Sequence, residues 1–177
     1  MTSDLAATFV VAAAGQVDDV LAVLDEAAAW LQARGVEQWP PRFERSWVEG
    51  GVRRGETWLA LVDGTVSGTV TLDRRDRVWD GVPDAAALYV HRMAVRRSAP
   101  GLGAAILGWA ADVARGEGRA ALRLDCVASN GRLRAYYEAA GFTHRGDVTV
   151  GGAPGQRLDE GPVTVVSRYE RRLGPAY

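Results

Sequence analysis

The hydrophobic pattern switches period repeatedly along the chain, and each switch marks an element. Thr8 to Ala13 reads as a first strand, which Gly15 and Gln16 break. Val17, Val20, Leu21, Leu24, Ala28 and Leu31 then recur at helical spacing, with Asp18 and Asp19 in the first turn, where the helix dipole favours acids. Gly35 stops that helix, and Pro40-Pro41 forces the segment from Val36 onward to be irregular. A shorter helix is expected around Arg42 to Val52. Thr57 to Val62 and Val66 to Leu72 flank Asp63-Gly64, a strong hairpin signal. Asp73 to Asp84 is charged and holds Pro and Gly, so it reads as a surface loop.

The second half continues in the same way. Ala87 to Val95 alternates as a strand, and Leu102, Ile106, Trp109 and Val113 repeat as a helix that ends near Gly116-Glu117-Gly118. Ala121 to Val127 is a strand with Leu122, Leu124 and Cys126 on one side. Asn130 caps a further helix that Gly141 terminates. Thr143 to Val150 and Val163 to Arg171 close the chain as an antiparallel pair around the glycine-rich Gly151 to Pro162. The predicted order is β-α-α-β-β-β-α-β-α-β-β, an α/β (α+β) mixed sheet. With no linker or repeat, residues 1–177 are expected to form a single domain.

Between the strand ending at Val95 and the helix opening at Leu102 lies Arg96-Arg97-Ser98-Ala99-Pro100-Gly101-Leu102-Gly103-Ala104. A glycine-spaced turn into a helix start presents unpartnered N–H groups and the positive end of a dipole, which is the physics of a phosphate cradle. A P-loop needs a lysine after its last glycine, and this chain has no lysine at all. A dinucleotide fingerprint belongs near a first strand, whereas this turn lies past mid-chain. The stretch Ser98-Ala99-Pro100-Gly101-Leu102-Gly103 resembles the Q/R-x-x-G-x-G/A acyl-CoA loop of the GNAT (Gcn5-related) N-acetyltransferases, with Ser98 in place of Gln or Arg. Pro100 removes one donor, and Arg96 and Arg97 supply charge nearby. A second stretch, Asn130 to Phe142, resembles the family's N-x-x-A-x-x-x-Y-E-K-x-G-F segment, with Tyr137-Glu138 and Gly141-Phe142 on matching positions.

The resemblance implies direct transfer of an acetyl group from acetyl-CoA, or another short acyl-CoA, to an amine. It implies a thioester held by the N–H of Met93 on a splayed strand, with Met93 and Val95 pairing along the pantetheine. The pyrophosphate would lie against Arg96, Ser98, Gly101, Leu102, Gly103 and Ala104, and Asn130 would reach the cofactor. Tyr137 matches the tyrosine that protonates the leaving thiolate; a phenol stays protonated at neutral pH and can donate. Tyr136 is expected to be aromatic core.

Three further groups bear on the chemistry. His91, four residues before Val95, titrates in the range a general base needs, against the alternative of a structural histidine. His144 reads as structural. Asp125 is costly mid-strand unless it faces a cleft or an arginine; it binds a cationic substrate, assists His91, or pairs with Arg123 or Arg132. The base is therefore His91, Asp125 or water alone. Among six tryptophans, Trp30 and Trp109 are expected to pack, while Trp39, Trp47 and Trp79 border the acceptor cleft of the fold, with Trp39 and Trp79 the substrate-binding candidates. Trp30-Leu31 with Gln38-Trp39-Pro40 resembles a pattern in a subgroup of bacterial GNAT proteins.

Charge and composition narrow the partners. Lys and Arg number 21 against 22 Asp and Glu, for a net charge of −1, which argues against a nucleic-acid partner. No stretch has the apolar length of a membrane span, and the lone Cys126 excludes an internal disulfide and a metal cluster built on cysteines. The expectation is a cytoplasmic enzyme acting on a small-molecule amine, with pairing into a homodimer possible. The alternatives are a protein or peptide acceptor, or an acyl-CoA-binding module without turnover.

Overall fold

A computed structural model describes residues 6–83, 86–151 and 163–174. The strands are β1 (Ala7–Val11), β2 (Thr57–Val62), β3 (Thr65–Asp73), β4 (Ala87–Val95), β5 (Ala121–Val127), β6 (Thr143–Val150) and β7 (Thr164–Arg172). The helices are α1 (Val17–Gln32), α2 (Arg45–Arg53), α3 (Leu102–Gly116) and α4 (Gly131–Ala139). This is the expected order, with most boundaries within two residues. The loop after β3 also carries a short 3-10 turn, Arg77–Trp79. Most of the glycine-rich Gly151–Pro162 stretch lies outside the described residues.

The sheet runs β1-β2-β3-β4-β5-β7-β6, with β4 and β5 parallel and every other neighbour antiparallel. Helices cover both faces, because alternate strand residues point to opposite sides. Leu59 joins Val20, Val23, Leu24 and Ala28 of α1 and Val48 and Val52 of α2, while its neighbour Ala60 joins Leu102, Ile106, Leu107 and Ala110 of α3. The apolar stripe of α1 that the sequence displays is thus the face it buries. Asp63, at φ 49°, and Gly64, at φ 75°, adopt the left-handed conformation that the tight β2–β3 turn requires.

Two irregularities position the site. β4 pairs with β5 only from Ala87 to Tyr89, against Ala121 to Arg123; beyond that the strands diverge while β5 stays on β7 as far as Val127. On the other side of β4, Thr71 faces His91 but Thr69 faces Ala94, so Arg92 and Met93 together oppose Val70. This is a β-bulge. Arg92 takes a φ of 47°, unusual for a side chain in a strand and worth about 1–2 kcal/mol of strain.

The point of divergence is braced by a buried ion pair. Arg123 Nε lies 2.7 Å from Glu170 Oε2, with both side chains almost wholly buried. The same guanidinium donates to the Pro83 carbonyl at 2.7 Å and to the Tyr89 hydroxyl at 3.4 Å, which ties the loop after β3 to the sheet.

Candidate active site

The splay between β4 and β5 opens into a cleft of about 1130 Å³. Val90 to Val95 form one wall, the start of α3 and its preceding turn close one end, and Asp73, Asp76 and Asp125 lie within it. Trp39 and Gln38, from the irregular α1–α2 connection, and Val166 of β7 complete it.

At the α3 end the turn folds back on itself. Ala99 N–H donates to the Arg96 carbonyl, and Leu102 N–H to the Ala99 carbonyl at 3.3 Å. Gly101 takes a φ of 88°, a conformation that suits glycine, and cedes the helix to Leu102. Among the described residues, no protein acceptor meets the N–H groups of Gly101, Gly103 or Ala104. Gly103 is also a close-approach position, since a Cβ there would lie 2.8 Å from the Tyr136 hydroxyl oxygen. Open amides, a dipole end and a missing side chain fit a pyrophosphate.

The individual loop residues divide in a way the sequence did not show. Leu102 turns its side chain wholly into the core and offers only backbone, and Ser98 is exposed and outside the cleft lining. Arg96 lines the cleft, but its guanidinium is held by Glu26 of α1 and by the Val66 carbonyl at 2.9 Å. Further positive charge at this end comes from Arg34 and Arg97, whose guanidinium carbons stand 4.0 and 4.1 Å from the Trp30 ring. Trp30, expected to pack into the helix stripe, therefore lines the cleft.

Met93 and Val95 line the opened edge of β4, which has no β5 partner at that point. Across from them stand Asn130 and the two tyrosines of α4. Asn130 Oδ1 caps α4 by accepting from Leu133 N–H at 3.2 Å, and its Nδ2 donates to Gln38 Oε1 at 3.2 Å. The same Gln38 oxygen accepts from Val127 N–H at 3.1 Å, so one amide side chain latches the α1–α2 connection over the end of β5. Tyr137 is buried among Tyr136, Phe142 and Tyr169. Burial raises its hydroxyl far above the usual phenol range, so the proton stays on. Tyr136, expected to be core, is instead one of the exposed large side chains, and its hydroxyl borders the α3 turn.

At the opposite end His91 faces the cleft rather than the far side of the sheet. Its Nε2 lies 3.3 Å from Asp76 Oδ2 and 3.5 Å from Asp73 Oδ2. One ligand atom from each of Asp76, His91 and Asp125 falls within 4.8 Å of the others, a spacing that suits a cation. Burial opposes the imidazolium, but Asp76, Asp125 and Asp73 outweigh it and raise His91 above its ordinary value. A histidine that keeps its proton is a poor metal ligand. Burial pushes the Asp125 carboxyl up to about 6, with Asp76 adding to the rise and His91 opposing it. Asp76 is held below the ordinary carboxylate value, because His91 and the Val78 N–H outweigh its own burial.

Several expectations are corrected here. Asp125 pairs with neither Arg123 nor Arg132 among the described residues; Arg123, on the same face of β5, is committed to its cross-strand neighbour Glu170. Trp79 does not line the cleft: it is buried against Tyr89, with Arg123 and Arg168 beside its ring. Trp47 packs with Phe43 on the α1–α2 side, which leaves Trp39 as the aromatic at the acceptor end. Trp109 packs as expected, stacked on Phe9 at 4.4 Å. Burial pushes Cys126 up to about 12, so it is inert core. His144 contacts Asp147 at 2.7 Å on β6, a structural role. Asp76 was missed, since nothing local distinguishes it within a charged loop.

The model of the acetyltransferase (GNAT) family matches residues 24–142. The uncharacterized N-acetyltransferase YesJ of Bacillus subtilis (strain 168) is 27% identical over 139 residues, which span 73% of this chain and 77% of that protein. Among solved structures, a GNAT-family acetyltransferase from Listeria monocytogenes 4b F2365 superposes with a TM-score of 0.73 at 23% identity, over 98% of this chain and 99% of that one. The yncA structure of Salmonella typhimurium, which holds its cofactor acetyl-CoA, gives a TM-score of 0.65 at 14% identity, over 97% and 96%. At these identities the structural likeness speaks for the fold, and the family match carries the rest: this chain belongs to the GNAT acetyltransferase family.

Proposed function

We propose that this chain moves an acetyl group from acetyl-CoA to the primary amine of a small molecule by direct attack in a ternary complex. One observation carries the reading: a single cleft has unpartnered amides at one end, a half-buried histidine–carboxylate cluster at the other, and an unpaired strand edge between them. The described residues contain no helix long and apolar enough to cross a membrane. We read residues 1–177 as one cytoplasmic domain, with homodimer formation a further expectation.

Acetyl-CoA supplies the activated acyl group. The amides of Gly101, Gly103 and Ala104 receive its pyrophosphate, and the β4 edge at Met93 and Val95 pairs with the pantetheine. Met93 N–H donates to the thioester oxygen as charge develops there. The amine nitrogen forms the new C–N bond as the C–S bond breaks, and sulfur leaves with the electron pair. The proton lost by the amine passes to the His91–Asp125 pair, and Tyr137 returns a proton to the thiolate. Burial raises Asp125 to about 6 and the surrounding carboxylates raise His91 above its ordinary value, so the two groups titrate as a coupled pair that can take up the amine proton.

The experiment is a thiol-release assay with acetyl-CoA over a panel of amines, alongside Tyr137→Phe. The substitution is expected to lower kcat by about 100-fold with a much smaller change in acetyl-CoA affinity. Equal turnover by Tyr137→Phe removes this residue from the mechanism. Absence of acetyl-CoA binding to the unaltered chain overturns the reading as a whole.

A further inference from the structure

Resting on the amine acetyltransferase reading, we infer that the acceptor is a short diamine: one nitrogen is acetylated, and the second stays an ammonium held between Asp73 and Asp76. The argument begins with an orphaned atom. The Asp76 side chain is 9% exposed, its Oδ1 accepts from Val78 N–H at 2.9 Å, and its Oδ2 is buried with no hydrogen bond. His91 Nε2 stands 3.3 Å from that oxygen and pairs with it as a charge while protonated, without an aligned hydrogen bond. A buried carboxylate oxygen without a donor is costly, and an ammonium brings three donors.

The neighbouring charges leave that oxygen short of a partner. Asp73, Asp76 and Asp125 all face His91, which can neutralise one of them. Glu56 lies against Asp73 as a further acid and is itself engaged by Arg54 at 2.8 Å. Arg92 stands near Asp73 as the opposing cation, with Arg54 beside it. Arg77 also lines the cleft and Arg168 sits across from Asp125, yet Asp73, Asp76 and Asp125 share the one imidazole, and its charge is lost once His91 is the proton acceptor. A cationic ligand restores the balance. An acceptor bearing a carboxylate meets repulsion instead.

The geometry sets the length. The reacting nitrogen belongs beside His91 and Asp125, and the Asp73 and Asp76 oxygens lie 3.5 and 3.3 Å from Nε2, with Asp76 within 4.8 Å of the Asp125 carboxylate. Carboxylates gathered this closely admit only a short alkyl spacer between the two nitrogens. Trp39, Val78 and Val90 line the same cleft and give methylenes apolar contact.

The test compares 1,4-diaminobutane, butylamine and 4-aminobutanoate as acceptors for the full chain with acetyl-CoA, reading kcat/KM by thiol release. The diamine is expected to exceed butylamine by about 100-fold, and 4-aminobutanoate to fall below butylamine. Asp76→Asn keeps the acceptor for Val78 N–H, and Asp73→Asn removes the other charge; each is expected to cut the diamine-to-butylamine ratio about 10-fold. Acetyl-CoA titration of both variants reports that the fold is intact. Equal kcat/KM for diamine and monoamine, or a ratio that neither substitution moves, overturns the inference and leaves the acetyltransferase reading standing. No turnover of any amine overturns both.

Discussion

Asp125→Asn tests the acceptor end through stability as well as rate. The substitution removes a charge and keeps the shape. Folding moves the carboxyl from about 3.9 in the unfolded chain to about 6, chiefly through burial. Below the unfolded value both states hold the proton, and nothing is lost. Between the two values the unfolded chain has released a proton that the folded chain keeps, so stability falls as pH rises. Above pH 6 the penalty is complete, at about 3 kcal/mol from the two pKa values, and the partial exposure of Asp125 reduces it to about 2 kcal/mol. Asparagine escapes it. At pH 8 the variant is expected to be about 2 kcal/mol more stable than the unaltered chain, a rise in Tm of about 4–8 °C, while at pH 4 the two coincide. His91 contributes in the same direction: raised by its carboxylates, it stabilises the fold at low pH and loses that contribution as pH climbs through its folded value. Comparing variant with unaltered chain at each pH cancels most of that shared trend. Turnover is expected to drop at least about 10-fold, because the proton-accepting pair loses a member. Thermal melts at both pH values, with kcat measured at pH 8, decide the matter. A variant less stable at pH 8, or a stability difference identical at pH 4 and pH 8, refutes the reasoning.

Two further predictions concern the other parts of the cleft. Gly103→Ala places a Cβ 2.8 Å from the Tyr136 hydroxyl oxygen and crowds the turn, so acetyl-CoA affinity is expected to fall about 10-fold. Adding Tyr136→Phe removes the clashing oxygen and should restore part of that loss in a binding titration; no restoration refutes the contact as the cause. Gln38→Ala leaves Val127 N–H and Asn130 Nδ2 without their shared acceptor, at a cost of about 1–3 kcal/mol measured by urea unfolding. Because Gln38 carries Trp39 to the cleft, acceptor KM should rise more than acetyl-CoA KM, and an equal rise in both counts against the latch.

The elements were legible because their signals are local. A period, a capping residue and a glycine turn all act within a few positions, which is why the α3 turn and the stripe of α1 stand out in the bare sequence. What the sequence concealed depends on register across long separations. Arg123 sits in a strand beside Asp125, and only the pairing of β5 with β7 shows that it belongs to Glu170, 47 residues away. Trp39, Trp47 and Trp79 look equivalent as isolated aromatics, yet one lines the cleft and two are packed away, because the fate of each is decided by which neighbour reaches its ring. Tyr136 and Tyr137 present the same ambiguity one residue apart, and a helix turn of about 100° separates surface from core.

The placement of the charged residues follows from one break in the sheet. Had β4 and β5 stayed paired past Tyr89, the main-chain groups from Val90 onward would have met partners, and no edge would remain for a ligand. The divergence exposes those groups and turns Asp125 and His91 toward a common space. The bulge at Arg92–Met93 keeps β4 on β3 while its other edge swings free, at the cost of a strained Arg92. Such strain persists only when the surroundings over-determine it. On this side that bracing is the Arg123–Glu170 pair, with the loop it holds through Pro83 and the 3-10 turn beyond, from which Asp76 reaches His91. The ion pair and the carboxylates, on one face of the sheet, are therefore two ends of one structure: the first fixes the loop, and the loop fixes the charge that an incoming ammonium meets.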